Sequence, residues 1–408
     1  MSTTIFQPNT RPATDRPSGP LAGVRVIDAA SLAAAPLAAT YLAEFGAEVV
    51  KIEQPGAGDP MRHWGSQKDG IGLMWKSISR NKKTMTIDLR VAAGQHLLKD
   101  LVRQADVIIF NTRISTLQRW GLTFDDLREV NPQLVMLHVS AYGSGGPKAD
   151  FPGFGTLGEA MSGFAHTTGE KDGPPTLPSF MLADCVASLN AAFAIMVALY
   201  HRDLHKADGQ LIDVNLIEPL ARMLEHSILT YDQLGRIDVR AGNRWDISAP
   251  RNAYRTKDDK WIAMSGSAPS IAMRAFKAIG RVDLTNDPEY SDAQGRLRHG
   301  DEIDRLMADW IADRTQEEAL AVFEREHVAA APIYDAEQLI NDDHLNARDA
   351  YPCIEDDQVG RMRVQAPVAR LSDTPARIEH LGKRIGADND SVLTEWLGMS
   401  ESDIAKLC

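Results

Sequence analysis

Residues 23–53 read GVRVIDAASLAAAPLAATYLAEFGAEVVKIE, and this run decides the fold. Its two ends, Gly23 to Asp28 and Gly46 to Glu53, are rich in β-branched residues and predict strands, while Pro36 to Phe45 between them predicts a helix. The alternation continues downstream. Strands are expected at Thr84 to Leu89, Val107 to Phe110 and Leu134 to Val139, with helices at Ala92 to Gln104 and around Phe124 to Val130. Strands and helices taking turns at this spacing imply an α/β domain, a parallel sheet with crossover helices. A dinucleotide-binding Rossmann domain is the obvious test. Glu53 stands 25 residues after Asp28, about where an acidic side chain would hold a ribose. The turn after the first strand, however, is Ala29-Ala-Ser-Leu-Ala-Ala-Ala-Pro36 and not G-x-G-x-x-G. Without those glycines the backbone cannot approach a pyrophosphate closely. A Rossmann-like sheet is expected; a nicotinamide site is not.

The chain has 408 residues, which exceeds one compact core and predicts two domains. Its apolar and charged fractions, 44% and 25%, are those of an ordinary globular protein. The net charge of −12 argues against nucleic acid or an anionic membrane as partner, while a local basic pocket for an anionic small molecule stays open. Cys185, Cys353 and Cys408 are odd in number and far apart, which suits a reducing, cytoplasmic setting. Met1 to Pro20 is polar and Pro-rich with no apolar stretch, and reads as a loose arm, not a signal peptide or an anchor.

Order is expected from Leu21. Residues 21–225 together with 350–408 form the expected large domain. Residues 240–335 form a smaller α/β unit, with 226–239 and 336–349 as linkers. Within the smaller unit Trp261 to Met264 predicts a strand, and helices are expected at Ser270 to Ile279, Asp301 to Ile311 and Gln316 to Glu326. A further long helix is expected to run through Leu234. The tail, Arg361 to Leu371 and Leu393 to Leu407, is too short to fold alone and is expected to pack on the large domain.

Candidate chemistry concentrates in Phe151 to Arg202. A Gly/Pro-rich loop, Gly169 to Pro178, precedes an Ala-rich apolar stretch from Val186 to Tyr200. Ser188 and Asn190 interrupt that stretch, leaving it short of the roughly 18 continuous apolar residues of a membrane helix. It reads as a buried helix with Asp184 in its first turn. Asp184 has two readings: an N-cap whose carboxylate accepts unpaired helix N–H groups, or a nucleophile steadied by the helix N-terminus. The two are compatible, and spacing does not choose between them. Cys185 reads as a small buried residue before it reads as a nucleophile. His201 and His205 are four apart, but His201-Arg-Asp-Leu-His205 lacks the glutamate of H-E-x-x-H, so no metal site is expected. Gly143-Ser-Gly-Gly-Pro147 could cradle a phosphate but reads better as a surface turn ahead of Pro147.

Several ordered signatures together resemble the class III CoA-transferase family, also called CaiB/BaiF. They are Pro20-Leu-Ala-Gly-Val-Arg-Val-Ile-Asp28, Gly46-Ala-Glu-Val-Val-Lys-Ile-Glu53, Asn81-Lys-Lys-Thr84, Asn131-Pro132 and Gly145-Gly-Pro147. Later ones are Ala160-Met-Ser-Gly163, Asp172-Gly-Pro-Pro175, Ala183-Asp184 and Gly209-Gln210-x-Ile-Asp213. The resemblance runs from about Leu21 to the C-terminus. It implies a Rossmann-like large domain, a smaller α/β domain and an interlocked homodimer. It further implies an acyl-CoA:carboxylate CoA-transferase using a coenzyme A thioester and a carboxylic acid as substrates, with no prosthetic group. The family's catalytic aspartate falls on Asp184. Its CoA contacts fall on the turn Ser31-Leu32-Ala33-Ala34, on Gln54, Ile87, Arg90, Asn111 and Thr112, and on Arg119.

Three departures bear on the activity. A racemase of this family pairs its aspartate with a histidine that aligns with Phe154, which carries no titratable group, so racemisation by that pair is disfavoured. Gly155 replaces an acidic residue usual in transferases. The glycine-rich flap of formyl-CoA transferase is replaced by Gly242-Asn-Arg-Trp-Asp-Ile-Ser-Ala-Pro250, where Arg244 and Trp245 are candidates for selecting the acid. The alternatives to CoA transfer, with succinyl-CoA as a candidate donor, are a CoA-ester racemase or isomerase and a non-catalytic CoA-ester binding protein.

Overall fold

A computed structural model of the protein describes residues 19–405. The arm expected over residues 1–20 falls almost entirely outside that range, as does Cys408. The described chain divides into two compact units. The larger runs up to Phe164 and adds Leu177–Leu229 and everything from Ala347 on; the smaller comprises Ala165–Thr176 and Thr230–Asn346. The short piece Ala165–Thr176, counted from sequence with the large domain, therefore clusters with the smaller one.

The larger unit is built on six parallel strands: β1 (Arg25–Asp28), β2 (Glu48–Glu53), β3 (Lys82–Thr86), β4 (Val107–Phe110), β5 (Val135–Ser140) and β6 (Leu211–Asn215). Their order is β3-β2-β1-β4-β5-β6. Arg25 of β1 lies opposite Glu48 of β2, and Val26 opposite Val107 of β4. The period of two along each strand, with both faces of the sheet covered, explains why the central runs are mostly apolar. Val26, Val107, Ile109, Val135 and Leu137 face one layer, and Ile27, Ile108, Phe110 and Met136 the other.

Helix α1 (Ala34–Glu44) and helix α4 (Leu182–His205) cover the first face. Both present small residues there, Ala35, Ala38 and Ala39 on one and Ala187, Ala191 and Ala198 on the other, so the backbones approach closely. Helix α1 begins two residues ahead of Pro36, the start expected from sequence. Pro36 then occupies its third position, where the N–H would have no intrahelical acceptor anyway. Helix α2 (Ala92–Val102) covers the other face with Leu98, Leu101 and Val102. The C-terminal helix Asn389–Leu397 joins it through Val392, Leu393 and Trp396. The same tail closes the edge at β3. Asp388 accepts the Thr84 N–H at 2.8 Å and Asn389 the Thr86 N–H at 2.9 Å, so two donors of the edge strand are paired.

The expectation of a fully buried helix after Asp184 is corrected. One face of α4 is buried, while Leu189, Phe193, Met196, Val197, Tyr200 and Leu204 stay open, Phe193 to 70% and Tyr200 to 69%. The recurrence of these residues every three to four positions makes them one apolar stripe. By length and composition α4 could cross a membrane; its alanine face packs on α1 and the sheet instead.

The smaller unit has three antiparallel strands, β7 (Arg251–Arg255), β8 (Trp261–Ser265) and β9 (Ala330–Pro332), with β8 central. Its core joins Tyr254, Ile262 and Met264 to Phe276, Ile303, Met307 and Phe323. The last four come from helices Pro269–Ala278, Gly300–Ala312 and Gln316–Arg325. The helix expected to run through Leu234 is divided at Leu224 into Glu218–Met223 and Glu225–Leu234.

Candidate active site

The strand order reverses between β1 and β4, and in open parallel sheets a ligand crevice forms at that switch, beyond the carboxyl ends of the strands. A cavity of about 900 Å³ occupies that place, walled by the turn after β1, by Asn111 and Thr112 after β4, by Ser140 at the end of β5 and Ala141 beyond it, and by Asp184. Asn111 clasps the turn across the switch. Its Oδ1 accepts the Ser31 N–H at 3.0 Å and its Nδ2 donates to the Ser31 carbonyl at 2.8 Å. Thr112 is fixed from below, its carbonyl 2.9 Å from His138 Nε2.

The turn itself is strained. Leu32 has φ of +66°, a conformation that costs a branched side chain about 1–2 kcal/mol. Buried polar groups hold it there. Asp59 Oδ1 accepts the Leu32 N–H at 3.1 Å and the Met61 N–H at 2.8 Å. The other Asp59 oxygen lies 2.9 Å from Lys51 Nζ, and Lys51 also donates to the Ala30 carbonyl. Asp28, at the end of β1, meets Lys82 Nζ at 2.9 Å. Asp28, Lys51, Asp59 and Lys82 are all buried. Such a set is expensive to desolvate and tolerable only when each charge has its counterpart, as here.

Asp184 is the third residue of α4, and not its N-cap. The cap position belongs to Met181, which makes no side-chain cap bond. The N-cap reading is thus corrected in position. The backbone N–H groups of Asp184 itself and of Ala34, the first residue of α1, favour its charged form, so two helix N-termini act on one carboxylate. They lower the pKa of Asp184, but burial and the charge of Glu159 outweigh them and raise it to about 6. The opposite wall explains Gly155. A Cβ there would lie 2.0 Å from Asp184 Oδ2, so only glycine leaves the carboxylate its place. Helix α3 (Gly155–Met161) contributes Glu159, buried, whose Oε1 accepts the Ala183 N–H at 3.4 Å.

Of the expected site residues, Ser31, Leu32, Ala33, Ala34, Asn111, Thr112 and Asp184 come together around the cavity. Gln54, Ile87, Arg90 and Arg119 are not part of its wall. The Ile87 side chain belongs to the core beneath the sheet. Arg90 is exposed and paired with Asp88 through Nε and Nη2, both at 2.8 Å, which holds the Asp88 carboxyl down at about 2. The Gln54 amide oxygen, turned toward Arg90, accepts from its guanidinium at 3.2 Å. Arg119 lies on the surface beside Thr116.

Several outcomes concern residues of the second rank. Burial and the neighbouring Asp184 push the Cys185 thiol up, away from a thiolate nucleophile. The His201 and His205 rings lie 4.9 Å apart, tilted to one another, and among the described residues no group of three or more His, Cys, Asp or Glu is arranged to hold a metal ion. In the turn at Gly143, Ser144 is held by Asp213, its N–H at 2.9 Å. Arg244 is already committed within the smaller unit, to Asp304 at 2.5 Å and to Asp301. Glu159 was missed from sequence. Its one signal is that it is the only Asp, Glu, Lys or Arg between Phe151 and Gly169.

Comparison with known proteins agrees with this arrangement. The profile of CoA-transferase family III matches residues 21–389. A succinyl-CoA–D-citramalate CoA-transferase of Chloroflexus aurantiacus is 38% identical over 396 residues, 97% of this chain and 98% of that protein. A succinate–glutarate CoA-transferase of Agrobacterium fabrum is 31% identical over 94% of this chain and 97% of its own length. Among solved structures, a CaiB/BaiF family protein from Brucella suis superposes with a TM-score of 0.82 at 25% identity, covering 93% of this chain and 99% of that one. The doubly covered parallel sheet, the carboxylate at its switch point and the match over nearly the whole length have one reading: this chain belongs to CoA-transferase family III.

Proposed function

We propose that the chain is an acyl-CoA:carboxylate CoA-transferase with Asp184 as its covalent nucleophile and a short dicarboxylate, succinyl-CoA among the donors, as its acyl group. The observation that carries this reading is a basic carboxylate facing a cavity at two helix N-termini. An Asp with a pKa near 6 is ionised at neutral pH yet more nucleophilic than an ordinary carboxylate. Its oxygen attacks the thioester carbonyl, the C–S bond breaks, and a mixed anhydride and CoA thiolate result. The thiolate then attacks Cγ of Asp184, the donor acid leaves, and an aspartyl thioester remains. An acceptor carboxylate runs the sequence backwards. The named activities of the two relatives, both moving CoA between dicarboxylic acids, support the substrate class.

The turn Ser31–Ala34, with Asn111 and Thr112, is the part of the site best placed to receive the pantetheine end. Gln54, Arg90 and Arg119, outside the cavity, are assigned to the nucleotide end, where an exposed guanidinium suits phosphates. A homodimer is part of the same reading, since the α4 stripe is an apolar surface of the kind that a second copy covers. The deciding experiment is incubation with succinyl-CoA, quenching with hydroxylamine and peptide mass spectrometry. A hydroxamate or CoA-sized adduct on the Asp184 peptide is expected. Failure to label Asp184 across a broad panel of CoA esters that do bind would refute the transferase reading in favour of a binding protein.

A further inference from the structure

Two acidic side chains share one helix end. Glu159 of α3 is 3% exposed, lines the cavity, and takes the N–H of Ala183, the second residue of α4. Asp184, the third residue, feels only the backbone N–H groups of its own residue and of Ala34 as favourable influences on its charge. A helix N-terminus normally favours negative charge, which would make a bound carboxylate a weaker base and a weaker nucleophile. Glu159 works against this twice, by occupying a donor and by adding a like charge. Among the described residues no Lys, Arg or His lines the cavity to offset it. On the packed elements, burial pushes Cys185 of α4 and Tyr41 of α1 up, toward their neutral forms, Glu44 of α1 is paired with Arg80, and Tyr200, His201, Arg202, Asp203 and His205 lie in the last turns of α4.

We propose that Glu159 is a positioning residue that keeps the Asp184 carboxylate basic and thereby directs which way the mixed anhydride breaks. The proposal rests on the reading of Asp184 as nucleophile. The anhydride offers the returning thiolate two carbonyl carbons. Attack on the acyl carbon expels Asp184 and regenerates the starting thioester. Attack on Cγ of Asp184 breaks the bond between Cγ and the bridging oxygen and expels the donor carboxylate. No proton is needed in either direction, so the outcome follows the leaving groups, and the weaker base leaves faster. Carboxylic acids in water have pKa values of about 4–4.5. In the shared cavity burial acts on the departing acid as well as on Asp184, whereas Glu159, bound to the neighbouring Ala183 N–H, adds its charge beside Asp184, makes it the poorer leaving group and favours the forward route.

Glu159→Gln keeps the shape and an accepting oxygen while removing the charge. The measurement is the rate of hydroxylamine-trapped labelling of Asp184 against pH, together with the ratio of free acid released to thioester regenerated. The acid limb is expected to move down by roughly 0.5–1 pH unit, and the release ratio to fall severalfold. An acid limb that stays in place in the folded variant overturns the proposal, because a merely structural Glu159 would leave it there. Where Glu159→Gln does not fold, Glu159→Met, which removes the charge and needs no partner, is expected to give the same shift. Loss of the melting transition in both variants assigns Glu159 to stability and removes the proposal. A wild-type enzyme that never labels at Asp184 instead brings down the nucleophile reading itself.

Discussion

Asp184 keeps a charge that its surroundings resist, and this has consequences for both rate and stability. Its folded pKa, about 6, lies above the ordinary 3.8. Between those values the folded state holds a proton that the unfolded state has lost. Stability therefore falls as pH rises through this window, and the full cost is present above it. Asp184→Asn is accordingly expected to melt higher than wild type at pH 7.5, by roughly 1–2 kcal/mol after allowance for partial solvent screening. The difference should vanish near pH 3.5, and transferase activity should drop by at least ~10³-fold at every pH. Thermal melts at the two pH values, paired with turnover of succinyl-CoA, check this. Wild-type activity should fall on the acid side with a midpoint near 6, since only the ionised carboxylate attacks. Gly155→Ala tests the opposite wall. A methyl 2.0 Å from Oδ2 must displace the carboxylate, and a shift of that size is expected to cost ~10²-fold in kcat with the melting temperature little changed. At this scale the sequence was half legible. Asp184 could be singled out because a known pattern of residues leads to it, but its exact place in the helix could not. Glu159 could not, because a single glutamate in an amphipathic segment reads as a surface position until α3 is seen to turn it inward.

The turn between β1 and α1 shows what elements add. Its working part is backbone, and what holds that backbone lies at distant points of the sequence: Asn111 after β4, Asp59 after β2 and Lys51 within β2. Asn111→Ala removes both bonds to Ser31. The expected result is a KM for acyl-CoA raised about tenfold, with an aspartate that still labels at saturating substrate. Lys51→Met leaves the buried Asp59 carboxylate without its counterpart, while Asp28 keeps Lys82, and is expected to destabilise the larger unit by ~3–5 kcal/mol, read by chemical denaturation. The central strands β4 and β5 were legible because both of their faces are buried and their sequence is therefore mostly apolar. The turn was not, since its left-handed residue is a leucine where the backbone angle alone would suggest glycine. The extent of burial of α4 was misjudged for a related reason: an all-round apolar helix is composed alike whether its second face meets its own chain or another surface.

For the whole molecule, the open stripe of α4 is the surface on which the proposed homodimer is tested. Phe193→Glu combined with Tyr200→Glu is expected to convert a dimer into a monomer by light scattering after gel filtration, with at least a tenfold loss of specific activity. A wild-type protein already monomeric at micromolar concentration would refute the dimer. The arrangement of strands into one parallel sheet was legible from their alternation with helices, whereas the allegiance of Ala165–Thr176 to the smaller unit was not, because no change of composition marks either of its ends. The edge strand β3 carries one further implication. Its outward donors are satisfied by Asp388 and Asn389, and Trp396 seals the layer beneath. A ribosome delivers those residues after every strand of this sheet. Until they emerge the sheet has an uncapped rim and an uncovered face. A nascent chain stalled after residue 380 therefore exposes a sticky margin that the folded chain covers, which makes that stretch of synthesis a moment of need for a chaperone.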